Sequence, residues 1–388
     1  MLKFTPRCSK VSNYHGKNVW WIVLTGGPCS GKTTGEARAE IELDNKGYKV
    51  FFVDEAASRV INSGIKGEVF GTYDFQSYIA ETQIINECII ESAIQKYVSI
   101  SGSRKNIIVI CDRGIIDGKA YMDNDELFAK MLKEFEINEI QAKSSYDGVI
   151  HLVTAADGAE EYYTLANNKA RSESPEEARA IDKKTSTVWL NHSHFAIIDN
   201  STNFDQKIDR VLKEIYRVIG APIPIDSYNK YLISMPNLER LEKDFYSKFS
   251  KVEITRTYLV KKDNCIERSV VRRGSDGEYA FYYMEKTHQD GFDEINVERR
   301  IDEKEYNMII ARDNGRLKEL TKTRYGFVWN NKYYELDVFD FWKDRAILKV
   351  QHTNRRKDGE VPSIFKVLMD ITNDESYTNY SLAQNVYN

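Results

Sequence analysis

Trp20-Trp21-Ile22-Val23-Leu24-Thr25-Gly26-Gly27-Pro28-Cys29-Ser30-Gly31-Lys32-Thr33-Thr34 decides how the first half of the chain folds. Residues 20–24 are apolar without interruption, as expected of a strand covered on both faces. Residues 34–45 then read as a helix. Between them, residues 26–33 keep the spacing G-x-x-x-x-G-K-[ST]. Glycines there permit a tight turn whose backbone N–H groups converge on phosphate, helped by the N-terminus of the helix that follows. Lys32 would reach the β- and γ-phosphates, and the Thr33 hydroxyl would ligate Mg²⁺. Gly26, Gly27, Pro28, Cys29, Ser30, Gly31, Lys32, Thr33 and Thr34 are therefore expected to enclose a nucleoside triphosphate, ATP or GTP. The loop by itself names no reaction.

Working outward, apolar runs at residues 50–53, 107–110, 149–153 and 195–198 alternate with amphipathic stretches. Helices are expected at residues 75–97, 176–190 and 203–218. The pattern predicts an α/β unit with a parallel sheet and crossover helices. Asp112 follows the run at 107–110 and would emerge at the carboxyl end of its strand, to bind Mg²⁺ directly or through water. Capping of the next turn is the structural alternative. Arg113 would contact an acceptor phosphate or pair with Asp54 or Glu55, and Asp117 is a further candidate for the same pocket. Glu55, also at a strand end, would align or deprotonate an acceptor hydroxyl. Arg59, one helical turn on, would hold an acceptor anion, with capping and a salt bridge as the plainer explanation. Arg171 and Arg179 lie on a cation-rich segment expected to close over the γ-phosphate, the alternative being a solvated helix. Ser174-Pro175 is a helix-start signal, with Glu176 and Glu177 in the first turn. Asn200, after the last strand, would flank the base.

Length and composition set the outer bounds. The chain has 388 residues, enough for two cores, with 41% hydrophobic and 29% charged residues and a formal net charge of −4. That charge provides no overall positive field for specific nucleic-acid binding. Five cysteines without a C-x-x-C pair point to a reducing, cytoplasmic setting. No signal-peptide core and no spanning apolar run occurs, which leaves peripheral membrane contact open.

After Gly220-Ala-Pro-Ile-Pro the pattern changes. The division expected is an extension at 1–17, a first domain at 18–220, a linker with a helix near 232–248, and a second domain at 250–388. Strand-like stretches follow at 252–260, 266–273, 278–286, 294–300, 320–329, 332–339 and 346–351, with turns at 274–277 and at Asn330-Asn331. This half is predicted to be antiparallel and β-rich, a sandwich or a barrel. Alternation puts Lys322 with Arg324, Glu335 with Asp337, and Arg268 with Arg272 on shared strand faces. Such faces suit a polyanion inside a barrel, or ordinary cross-strand pairs on an exposed sheet.

Gly26 to Thr33, Asp54-Glu55-Ala56-Ala57, Asp112-Arg113-Gly114 and the Arg171 to Arg179 segment resemble the P-loop nucleoside and nucleotide kinase group, particularly its NadR-like ATPase branch. That resemblance covers residues 18–220 and implies Glu55 as base, Asp112 as magnesium or acceptor carboxylate, and the arginine segment as a lid. Residues 252–259, 322–325, 334–339 and 371–383 resemble, in order, motifs of the CYTH or triphosphate tunnel metalloenzyme family. Fold and role implied there are a tunnel barrel with helices, in which basic residues (Arg268, Arg272, Lys286, Lys322, Arg324) bind an anion and carboxylates (Glu253, Glu335, Asp337) hold a metal. The sequence departs from that family where Thr255 and Thr257 stand in the opening strand, and where Lys349 and Gln351 replace a late acidic pair. The joined architecture resembles the TRPL translocation defect protein 14 group. The expectations are phosphoryl transfer from ATP or GTP to a small-molecule acceptor, a nucleotide-dependent regulatory or trafficking protein that binds a phosphorylated lipid or polyphosphate, or inorganic triphosphatase activity in the tunnel.

Overall fold

In a computed structural model, the first apolar run is strand β1 (Val19–Thr25), and the turn after it leads directly into helix α1 (Lys32–Asn45). The structure describes residues 18–100, 105–122, 124–163, 174–221, 228–244, 249–261, 265–289, 292–313, 318–351 and 360–386. Two units are distinguished, Met1–Val218 and Ile219–Asn388.

In the first unit, β2 (Lys49–Val53), β3 (Ile107–Asp112), β4 (Gly148–Leu152) and β5 (Phe195–Ile198) join β1 in a parallel sheet of order β2-β3-β1-β4-β5. Its strands are the β-branched runs read from sequence, and Ile22, Val23, Leu24 and Ile107–Ile110 are wholly buried between helical layers. β1 pairs directly with β3, setting Leu24 opposite Asp112. This register brings the carboxyl end of β3 beside the phosphate-loop turn. Helices α2 (Ala56–Asn62), α3 (Gly67–Ile100), α4 (Asp125–Glu134), α5 (Glu139–Ser144), α6 (Pro175–Val188) and α7 (Phe204–Val218) complete the unit. α3 begins earlier than the sequence pattern suggests and is kinked at Gly71, whose φ of 77° glycine tolerates without strain. The Ser174 cap expected of α6 is present: its hydroxyl accepts from Glu177 N while the Glu177 carboxylate accepts from Ser174 N.

The second unit is one antiparallel sheet. Its strands are β6 (Tyr228–Ser234), β7 (Ser250–Tyr258), β8 (Cys265–Ser275), β9 (Glu278–Gln289), β10 (Phe292–Ile301), β11 (Lys318–Trp329), β12 (Lys332–Phe339), β13 (Arg345–Gln351) and β14 (Val367–Asp370). Their order is β10-β9-β8-β7-β11-β12-β13-β6-β14, with no pairing between β10 and β14 among the described residues. The pairing is thus that of an open antiparallel sheet, and closure into a tunnel is not part of it.

Asp276-Gly277 and Asn330-Asn331 form the two tight hairpins foreseen, all four residues at positive φ. The helix expected from residue 232 is corrected. Residues 232–234 finish β6, whose Leu232 and Ile233 pair with β13, and helix α8 (Leu238–Asp244) starts only afterwards. Pairing on both edges outweighs the local pattern there. Helices α9 (Glu303–Arg312) and α10 (Asn379–Val386) were not separately legible. On one sheet face Phe327, Tyr334, Leu336 and Leu348 pack with Leu241 of α8; on the other, Leu320, Phe339 and Ile347 pack with Leu382 and Ala383 of α10.

Candidate functional site: a phosphate loop beside a pocket

The phosphate-loop turn is held from outside by groups on three other segments. Gly27 N donates to Asp182 Oδ1 at 2.5 Å, and Thr154 Oγ1 donates to Pro28 O at 2.5 Å. Ala155 N donates to Cys29 O at 3.2 Å, while Lys207 Nζ donates to Ser30 O at 3.0 Å. Outward polar groups are thereby satisfied one residue after another. Two glycines are required on steric grounds. A Cβ at Gly26 would meet Leu152 O at 2.1 Å, and one at Gly31, where φ is 93°, would meet the Phe204 ring at 2.9 Å.

Lys32 is buried at the start of α1, with Nζ 3.5 Å from both Gly26 O and Ser30 Oγ. Around it gather carboxylates from three elements. Burial and the neighbouring Asp112 push Glu36 up to about 7. Burial raises Asp112 as well, only partly offset by Lys32. Asp112 Oδ1 is buried and has no hydrogen-bond partner. Such an orphaned oxygen suits a hard, oxygen-seeking cation such as Mg²⁺. Among the described residues, no group of three or more His, Cys, Asp or Glu side chains could hold a metal unaided. A cation here therefore needs phosphate or water oxygens to complete its shell.

Glu55 and Arg113 form an ion pair, Nε to Oε1 3.1 Å, and Ser58 Oγ donates to Glu55 Oε2 at 2.5 Å. Burial opposes the Glu55 charge, but Arg113, Ser58 and Lys32 together hold it down to about 2. Glu55 is consequently a fixed anion and a poor proton acceptor, better suited to aligning a hydroxyl than to stripping it. Of the partners expected for Arg113, it takes Glu55, and it does so from a strained backbone with φ 71°. Asp117 is a structural hub. Its carboxylate accepts from Gly114 N and Trp189 Nε1 at 2.8 and 3.3 Å, and also from Thr25 Oγ1, fixing the turn that carries Arg113. Arg59 reaches Asn86 at 3.0 Å and does not line the pocket.

Next to these groups lies a cavity of about 310 Å³. Lys32, Glu55 and Arg113 stand at its polar end; Ile61, Phe75, Ile79 and Ile115 form much of the rest. Gln76, 5% exposed, also lines it. Sequence reading missed Glu36 and Gln76. Glu36 was within reach of it, since it lies four residues after Lys32 on α1; Gln76 becomes distinctive only once α3 is packed against the Gly114 turn.

Arg171 lies outside the described residues. Arg179 donates to Ala156 O at 2.7 Å and pairs with Glu176 at 2.8 Å. The Asn200 amide is engaged with Thr154 O, Asp157 O and Lys207, so its side chain braces the loops behind the phosphate turn.

In the second unit, Lys322, Arg324, Glu335 and Asp337 share one sheet face with Lys349. Lys322 Nζ and Arg324 Nε lie 2.7 Å from Asp337, Arg324 NH1 lies 2.6 Å from Glu335, and Lys349 Nζ lies 3.3 Å from Asp337. Burial disfavours the Asp337 charge, yet Arg324 and Lys322 hold its carboxyl well below the usual range. Lys286, paired with Glu267, belongs to this face; so do Arg256 and Arg273 by register. Arg268 and Arg272 do not join it. Arg272 pairs with Thr255, and Thr255 with Thr321, so both arginines project from the opposite face. Arg268 donates to Tyr283 Oη and Val260 O, and Arg272 covers the Tyr279 ring. Glu253 is exposed on that opposite face too, away from Glu335 and Asp337.

No curated protein matches the chain. Among solved structures, it aligns with the inorganic triphosphatase NE1496 at 20% identity over 41% of this chain and 97% of that one, TM-score 0.30. A second structure, of the hypothetical protein NE1496, gives 21% identity over 40% and 95%, TM-score 0.29. PH1819 from Pyrococcus horikoshii OT3 gives 15% over 34% and 80%, TM-score 0.24. No helix among the described residues is long and apolar enough to cross a membrane. Residues 21–207 match the family model described as an AAA domain, and the parallel sheet with its phosphate loop is consistent with a P-loop α/β fold.

Proposed function

We propose that the first unit transfers the γ-phosphoryl group of ATP or GTP to the hydroxyl of a small uncharged acceptor. The observation that carries this reading is the cavity whose polar end is formed by Lys32, Glu55 and Arg113. A regulatory nucleotide switch has no need of a second pocket there, whereas a phosphotransferase must seat its acceptor beside the triphosphate. Both cations at that end face carboxylates, Arg113 through its pair with Glu55, and the remainder of the lining is largely apolar. This charge balance favours a neutral acceptor over a phosphorylated one.

In the proposed reaction, the phosphate-loop amides and Lys32 stabilise the charge that spreads over the transferring phosphoryl oxygens. Thr33 and Asp112 would hold Mg²⁺, which supplies neutralising charge between the β- and γ-phosphates. Glu55 accepts a hydrogen bond from the acceptor hydroxyl and points its oxygen along the line of attack; as the new P–O bond forms, the bond to the nucleoside diphosphate breaks and the hydroxyl proton passes to an oxygen of the transferred phosphoryl group. Arg113 keeps Glu55 in place and ionised, and Gln76 offers its amide to the body of the acceptor.

Glu55→Gln keeps shape and removes charge. Turnover is expected to fall by on the order of 100-fold with little change in triphosphate affinity. The assay follows acceptor-dependent loss of labelled γ-phosphate across a panel of small alcohols, with affinity measured in parallel. Undiminished turnover in the variant would remove Glu55 from the reaction.

A second reading applies to the other unit. The face bearing Lys322, Arg324 and Lys349 sets three cations against Glu335 and Asp337. This surplus favours binding of a phosphorylated anion. Hydrolysis is not favoured, because both carboxylates already face ammonium and guanidinium groups that repel a divalent ion. Inorganic triphosphate and vesicles with anionic headgroups are expected to bind the full chain, in competition with each other, while phosphate release with Mg²⁺ or Mn²⁺ stays at background. Release that survives Lys32→Ala and disappears in Glu335→Gln would reverse this reading.

A further inference from the structure

Helix α7 places Lys207 behind the phosphate loop, 3% exposed. Its ammonium donates to Ser30 O at 3.0 Å, to Val153 O at 2.7 Å and to Asn200 Oδ1 at 2.7 Å. Three acceptors match the three N–H bonds of an ammonium. A neutral amine has two, and its lone pair would oppose one of these oxygens. Among the described residues no carboxylate lies within 4.0 Å of this nitrogen to form an ion pair.

Charged groups reach Lys207 from each element packed around it. Asp182 of α6 and Asp199 at the end of β5 are attractive; Arg210 of α7 and Lys32 of α1 are repulsive. His151 of β4 acts on it only through Asp182, which its Nε2 approaches at 3.3 Å. The acidic members have other commitments: Asp199 is paired with Arg210 at 2.8 Å, and Asp182 accepts from Gly27 N.

We propose that Lys207 is a positioning residue for the triphosphate: its amine fixes the Ser30 carbonyl from behind the loop. The inference rests on the assignment of the triphosphate to this loop. Burial lowers the Lys207 ammonium to about 7, against the weaker support of Asp182. A polyanion seated on the other side of the loop raises it, because charges interact strongly across poorly screened protein. The sign follows. Below about pH 7 the free and bound states both carry the proton and this contribution to affinity is constant. Above that value the bound state holds more protons than the free state, so affinity falls with rising pH, by up to about tenfold per unit. In the deprotonated form one of the three oxygens around the amine also loses its donor.

The experiment is calorimetric titration of the full chain with ATP at constant Mg²⁺, from pH 6 to 8.5, in buffers of different ionisation heat. Wild type, Lys207→Arg and Lys207→Met are compared, with thermal melting to verify folding. Proton uptake approaching one per ATP at pH 8 is expected for wild type, together with the decline in affinity above pH 7. Lys207→Met should lose that uptake and bind more weakly at pH 6.5 by about tenfold, as expected for one lost charge-assisted contact. Lys207→Arg, permanently charged, should decline less above pH 7 than wild type, the remainder being owed to other groups of the site such as Glu36. Wild-type titrations without proton uptake, or an uptake shared undiminished by Lys207→Met, would overturn the proposal while leaving the loop assignment intact. A wild-type chain that binds no ATP at any pH would overturn both.

Discussion

Lys32→Ala is expected to weaken ATP and GTP binding by on the order of 100-fold or more, since a buried ammonium that touches phosphate contributes through charge-assisted hydrogen bonds. Lys32 is 7% exposed, lines the cavity and begins α1, where alanine is at least as good a helix former. The loop itself is held by Asp182, Thr154, Ala155 and Lys207, none of which depends on the Lys32 side chain. Binding should therefore fall without a matching fall in thermal stability. Titration of wild type and variant with each nucleotide, alongside melting curves, checks both halves of the expectation. Equal affinity for both nucleotides would take the triphosphate away from this loop.

In the second unit the largest effect is expected from Asp337→Ala. Asp337 is 1% exposed and is the common partner of Lys322, Arg324 and Lys349. Removing it strands the buried Lys322 ammonium, which burial already drives far below its ordinary range and for which Asp337 is the main counterweight, and leaves Arg324 with Glu335 alone. Breaking a buried pair in this way costs about 3–5 kcal/mol. Hydrogen exchange along Lys318–Gln351 localises the loss to this sheet: amides of β11, β12 and β13 should exchange far faster in the variant. Unchanged protection would mean that the cluster contributes nothing to stability.

The sheet of the first unit was legible because each strand is an uninterrupted apolar run, and a strand buried on both faces has no other sequence to choose. Phosphate loop, Asp112 and Glu55 were legible for a related reason, since each sits at the carboxyl end of such a run. The supports behind the loop were not. Asp182 lies on the stripe Ala178, Asp182, Thr185, Ser186 of α6, whose buried face is mostly polar and gives no periodic signal. Lys207 left a trace: Ile208, Val211, Leu212 and Ile215 mark the buried side of α7, and helical spacing puts residue 207 among them. In the second unit, alternation correctly grouped Lys322 with Arg324 and Glu335 with Asp337. It could not choose the common face for strands that are distant in sequence, and Arg268 and Arg272 fell on the other side. Strand β6 was hidden because its pairing with β13 spans more than a hundred residues, and no local pattern encodes that.

The assignment of faces in the second sheet has a genetic corollary. Lys322 and Arg324 alternate along β11 with Thr321 and Thr323, so the two sides of one strand carry opposite chemistries. A substitution at one site alters one side chain. In-frame loss of a single codon between Tyr325 and the Asn330-Asn331 turn shifts every preceding β11 residue by one step against β12. Thr323 then faces Asp337 and Tyr325 faces Glu335, and the two cations turn toward the side now lined by Thr255. Spacing between the turn and the cluster is accordingly under tighter constraint than the identity of most residues in it, and a gap of one there would erase a charge pattern that many point changes leave standing.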